Sequence, residues 1–113
     1  MKVYVAGPMR GYPKFNHPAF DRAEEVLKSM GYDPVNPARL DRDSDLNYED
    51  HDDIPNSVLR DIIQRDIVAL LGCEAVALLP GWVDSAGAKL EIATAEYVGM
   101  RVVEIPPELL DAS

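Results

Sequence analysis

The chain predicts a single α/β domain, built on a parallel sheet of four to five strands with flanking helices. Three observations point there. Short apolar segments alternate with longer segments of helical period, which is the signature of βαβ units. Glycine or proline closes most of these segments. A length of 113 residues holds one hydrophobic core comfortably, whereas two cores would be unusually small.

Residues 2–6 read as a short apolar strand that stops at Gly7-Pro8. A loop from Met9 to Asn16 follows and carries Gly11 and Pro13. Asn16 is placed to cap a helix, with Pro18 tolerated in its first turn. Phe20, Ala23, Leu27 and Met30 recur at helical spacing until Gly31. Residues 32–36 form a weaker second strand, interrupted by Pro34. From Arg39 to Asp53 the chain is acidic and aperiodic, so it reads as a long solvated surface loop and a candidate lid. Its carboxylates lack the register of a calcium loop.

A second helix is predicted from about Asn56 to Leu71, closing at Gly72. Val58, Leu59, Ile62, Ile63, Ile67 and Leu70 form its buried stripe. Ala75 to Leu79 is continuously apolar, as a central parallel strand is. Pro80 to Ala88 is a turn feeding a third helix that ends near Gly99. Arg101 to Ile105 makes the last strand, and Pro106-Pro107 starts a short tail. The whole corresponds to a flavodoxin- or Rossmann-like sheet without internal repeats.

Bulk properties narrow the partners. A net charge of −9 disfavours polymeric nucleic acid, whose binding depends on a Lys/Arg surface and displaced counterions. A single small phosphate remains compatible, since one arginine or one helix N-terminus can hold it. No apolar run approaches the ~20 residues needed to span a bilayer, so no membrane partner is expected. The stretch Met1 to Gly7 is too short and too soon interrupted for a signal peptide. Cys73 stands alone, which leaves no internal disulfide or cysteine-rich metal site. A cytoplasmic location is the expectation consistent with these features.

Ligands of an open parallel sheet bind beyond the carboxyl ends of its strands. Two such ends carry unusual residues: Gly7-Pro8-Met9-Arg10-Gly11, and Pro80 to Ala88. Ser85-Ala86-Gly87-Ala88 opens a helix with small residues, so its N–H groups suit an anion; Ser85 equally suits a simple cap. Asp66 falls in the series Ile62, Asp66, Leu70, on the apolar face of its helix. Buried aspartates are paired or used, and Arg10, Arg65 and Lys89 are candidate partners. Glu91 has only Gly87, Ala88, Thr94 and Ala95 at helical contact spacing, so it is either open to a ligand or an ordinary exposed glutamate.

Tyr4 lies inside the first strand with a hydroxyl that needs a partner. Trp82 either covers a base or sugar or plugs the edge of the core. His17 and His51 lack metal-ligand spacing and read as caps or solvated side chains. Cys73 reads as a small buried hydrophobe. Neither a metal centre nor a serine triad has support.

Tyr4-Val5-Ala6-Gly7-Pro8-Met9-Arg10-Gly11 resembles the first-strand motif of nucleoside 2-deoxyribosyltransferases and of 2′-deoxynucleoside 5′-phosphate N-hydrolases. Arg65-Asp66-Ile67 resembles the helix aspartate motif of that superfamily, and Ser85 to Glu91 its glycine-containing motif leading to a catalytic glutamate. Order and spacing agree over nearly the whole chain. A branch without assigned activity, often phage-encoded, also shares Leu79-Pro80-Gly81-Trp82 followed by Ser85-Ala86-Gly87-Ala88.

The resemblance implies that Glu91 attacks C1′ of a (deoxy)ribose, that Asp66 positions the sugar or protonates the departing base, and that Tyr4 orients the glutamate. Gly7, Met9, Arg10, Gly11, Trp82, Ser85, Gly87 and Ala88 would then surround the substrate. Ser85 and Arg10 match the residues that hold a 5′-phosphate in the hydrolases, which makes a nucleotide hydrolase the first expectation. Pro8 and Met9 look more like the transferases, whose C-terminal asparagine signature is absent here. A base-exchanging transferase, a nucleotide-binding module without turnover and an NAD-cleaving glycohydrolase are the rivals. The implied partner is a small nucleotide or nucleoside, with no cofactor and a homodimer by analogy.

Overall fold

The structure, a computed structural model, describes residues 1–44 and 54–111. Four strands form one parallel sheet: β1 (Lys2–Ala6), β2 (Asp33–Val35), β3 (Ala75–Leu78) and β4 (Arg101–Glu104). Their order is β2-β1-β3-β4. This flavodoxin-like order reverses direction between β1 and β3, and that reversal opens a crevice at the carboxyl ends of the two strands. Pro34 pairs with Val3 from an edge strand, where a missing N–H is tolerated.

The period of the strands divides the core between the two faces. Val3 and Val5 of β1 point to one side, packing with Phe20, Ala23 and Leu27 of α1 (His17–Ser29). Tyr4 and Ala6 point to the other. There they meet Leu70 of α3 (Asn56–Leu71) and Ile92 and Ala95 of α4 (Ala86–Tyr97). The alternation therefore turns Tyr4 toward α4, the helix that carries Glu91.

Several sequence-based expectations need correction. Arg39 to Asp43 is not loop: it lies in α2 (Pro37–Asp43), which Asn36 caps by accepting the Ala38 N–H at 2.9 Å. Two turns of helix are too short for a period to show through four charged residues in seven. Residues 45–53 of the expected loop, His51 among them, lie outside the described residues. Met30 sits beyond the end of α1 and is 58% exposed, so it does not extend the buried stripe. Asn16 stands at the helix start in a left-handed conformation, but its side chain caps nothing; its Nδ2 donates to the Pro8 carbonyl at 2.8 Å and ties down the loop after β1. Pro106-Pro107 leads into a short helix, α5 (Pro107–Asp111), as proline at a first helical position allows.

The stripe on α3 is also less buried than its spacing predicts. Leu70 is fully buried, yet Val58, Leu59, Ile62, Ile63 and Ile67 are only partly covered. Sixteen helical residues span about 24 Å, against about 13 Å for a four-residue strand. The first half of α3 thus overhangs the carboxyl ends of the strands. Its apolar side chains there wall a cleft instead of filling the core.

Candidate active site

A cleft of about 610 Å³ lies at this overhang, a volume suited to a small organic ligand. Its floor is the chain leaving β1, Gly7 to Arg10; its far wall is Asp84 to Glu91, and α3 closes the third side through Leu59, Ile62, Ile63 and Asp66. Gly7 is needed where the two floor strands converge. A Cβ there would stand 2.6 Å from the Cβ of Leu79, closer than real Cβ atoms come. Gly81 turns the chain after β3 at φ +88, and a Cβ on it would meet the Tyr12 hydroxyl oxygen at 2.5 Å. Gly87 differs from both: a Cβ would touch no protein atom closer than Ser85 Oγ at 4.0 Å, so the missing side chain leaves space in the cleft itself.

Glu91 is 7% exposed although it lines the cleft. Its Oε2 accepts the Tyr4 hydroxyl in a buried hydrogen bond. Desolvation pushes its carboxyl up to about 8; nearby Asp66 pushes the same way, while the Tyr4 bond and the Arg65 charge oppose the rise. Tyr4 is itself driven well above its usual value, by burial first and by the Glu91 charge next. It therefore stays a neutral donor. Asp66, 8% exposed, is raised to about 6 by burial, against the pull of Arg65. Arg65 reaches Asp66 Oδ1 with Nη2 at 2.7 Å and with Nε at 3.0 Å. Two carboxyl groups with separated, elevated affinities for a proton thus face one cleft.

Ser85 caps α4 by accepting the Ala88 N–H at 3.1 Å, and with Ala86, Gly87 and Ala88 it also lines the cleft. Capping and exposure to a ligand coexist, as the sequence left open. Arg10 stands exposed at the lip, with no hydrogen-bond or ion-pair partner among the described residues. Its guanidinium is free to take an anion.

The structure brings most of the sequence candidates together. Met9, Arg10, Ser85, Gly87, Ala88, Glu91, Asp66 and Gly7 meet at the cleft, with Tyr4 beneath Glu91. Besides Tyr4, two candidates fall outside the lining. Gly11 serves the turn beyond it, at φ +80. Trp82 packs on the core behind the turn after β3, and its Nε1 donates to Glu104 Oε1 at 3.0 Å on the edge strand. Of the two roles open to Trp82, the structure supports the plug of the core edge. Asp41 is the main cleft residue that sequence reasoning missed. It is 7% exposed and bound by Arg65, but no local signal separates it from the charged residues around it. His17 is half-buried at the start of α1, its Nδ1 3.2 Å from Arg42 Nη1, and takes no part in the cleft. Cys73 is a buried free thiol, as expected.

Fold and site together define a flavodoxin-like α/β protein with a carboxylate-lined cleft at its topological switch point. Residues 1–104 match the family described as domain of unknown function (DUF4406), and the chain belongs to that family. No curated protein matches it. Among the described residues no helix is long and apolar enough to cross a membrane.

Proposed function

We propose that the cleft hydrolyses the N-glycosidic bond of a (deoxy)nucleoside 5′-monophosphate, with Glu91 as nucleophile. The observation that carries this reading is the buried Glu91 at the cleft, hydrogen-bonded by Tyr4 and lining the same space as Asp66. The resemblance of the three sequence blocks to nucleoside 2-deoxyribosyltransferase-like enzymes supports it from a separate direction.

Cleavage at C1′ passes through an oxocarbenium-like state that places positive charge on the sugar, and a carboxylate beside it stabilises that charge. Glu91 attacks C1′ as the bond to the base nitrogen breaks; Asp66 supplies the proton that the departing base takes up. Water then attacks C1′ of the glycosyl-enzyme and gives one proton to the ionised Asp66, releasing the sugar phosphate and restoring the Glu91 carboxylate. Tyr4 holds Glu91 by one oxygen and leaves the other for the reaction. Arg10 and the start of α4 at Ser85 hold the phosphate.

Before substrate binds, a single proton on the two carboxyls rests on Glu91, raised to about 8, in preference to Asp66, raised to about 6. The reactive form has the same proton count with the proton on Asp66 instead. That form is the minority before substrate binds, and growing positive charge at C1′ favours it during the reaction.

Chromatography of the purified protein with ribo- and deoxyribonucleoside monophosphates, nucleosides and NAD, each with and without a free base, tests the reading. Release of a base from a monophosphate without an acceptor base is the expected result. Turnover only with an acceptor would make the protein a transferase. Binding without any product would make it a nucleotide-binding module.

A further inference from the structure

Neighbouring residues on a helix do not face each other, so the contact of Arg65 with Asp66 is not given by α3 alone. The Arg65 side chain must bend around the helix surface, and a group outside α3 holds it there. That group is Asp41 of α2, whose Oδ1 accepts Arg65 Nη2 at 2.6 Å. Ser44 Oγ adds a weaker acceptor for Nη1 at 3.3 Å. The single nitrogen Nη2 thus lies between two carboxylates, at 2.6 Å from Asp41 and 2.7 Å from Asp66. Both carboxylates are buried and both line the cleft.

We propose that Asp41 is a positioning residue: it anchors Arg65 against Asp66 and takes a share of the guanidinium charge, so that Asp66 keeps its orientation and can carry the proton used by the departing base. This rests on the glycosidase reading of the cleft. The groups acting on Asp66 are Arg65 from its own helix, Asp41 from α2, Glu91 from α4 and Tyr4 beneath it on β1. In Asp41→Asn the amide oxygen still accepts from Arg65 and keeps it in place, while loss of the charge leaves the guanidinium charge to Asp66 alone and deletes a negative neighbour. Both changes favour ionised Asp66. A tenfold weaker hold on the proton makes the reactive form about tenfold rarer.

The test compares Asp41→Asn, Asp41→Glu and wild type by two readouts. One is the carboxyl ¹³C titration of Asp66 in the ligand-free protein, and the other is the pH profile of base release. In Asp41→Asn the Asp66 titration should move down by about one pH unit. The acid limb of activity should follow it, with kcat down about tenfold and KM nearly unchanged. Asp41→Glu should restore both, because it keeps the charge. Asp41→Gln, which also removes the charge but keeps an amide oxygen for Arg65, should behave like Asp41→Asn and replaces it if that variant does not fold. An active wild type with an Asp66 titration unmoved by either neutral variant would overturn the proposal. Neutral variants that move the Asp66 titration while the wild type itself releases no base would instead overturn the glycosidase reading, leaving the link between Asp41, Arg65 and Asp66 intact.

Discussion

Glu24 and Glu91 are both glutamates on helices, both 7% exposed, on opposite faces of the same sheet, and they hold protons in opposite ways. Glu24 is pulled down to about 2, chiefly by hydrogen bonds from Arg39, whose charge and that of Lys28 add to the effect. Arg39 grips it with two nitrogens, Nε at 2.9 Å and Nη2 at 2.6 Å, and Asn36 adds Nδ2 at 3.4 Å. Glu91 has one neutral donor, Tyr4, and is pushed to about 8. Burial alone therefore says little about a carboxylate. What surrounds it decides whether it clamps the fold or remains available for chemistry.

The sharpest way to break this comparison is to make the same substitution on both faces. Glu91→Gln should lower base release at least about 1,000-fold, since a nucleophile is lost, while leaving the fold intact. Glu24→Gln should leave the chemistry in place and lower the melting midpoint by roughly 5 °C, because Arg39 loses a charged partner. Asp66→Asn should cost about 100-fold or more, as loss of a general acid does. Rates and thermal melts of the three variants settle these expectations.

The pH dependence separates the two faces further. Below about 6 both cleft carboxyls are protonated, and above about 8 both are ionised, so kcat/KM should be bell-shaped with limbs near those values. Stability should carry both signs. Glu91 binds its proton more tightly folded than unfolded, so its contribution is present below about 4.5 and is lost as pH rises toward 8. Glu24 is the reverse: its contribution is present above about 4.5 and is lost as pH falls toward 2. Melting curves of Glu91→Gln and Glu24→Gln across pH should each remove one of these slopes.

Smaller effects probe the ligand space. Arg10→Ala should weaken monophosphates about tenfold or more and nucleosides hardly at all, read as KM on both substrate classes. Gly87→Ala should raise the melting midpoint slightly, since alanine suits a helix better, while raising KM because the new methyl enters the cleft.

The sequence carried the sheet and the longer helices because their periods are long enough to read. Asn56 to Leu71 and Lys2 to Ala6 match their predicted bounds. It also carried Asp66, a carboxylate among apolar residues on one helical face. Glu91 is harder: local sequence makes it an ordinary helix glutamate, and only the fold buries it against Tyr4. Asp41 was invisible for a different reason. Its meaning comes from Arg65, 24 positions away, and no period links the two. Trp82 misled because a loop aromatic at a sheet end serves a ligand or the core equally well, and Glu104 on the neighbouring strand decided the matter.

Base release from the monophosphate panel, run side by side with wild type, Glu24→Gln and Glu91→Gln, tests the central claim most directly. Release by wild type and Glu24→Gln, with none above background from Glu91→Gln, is the result the account expects. Release by Glu91→Gln within tenfold of wild type would contradict it.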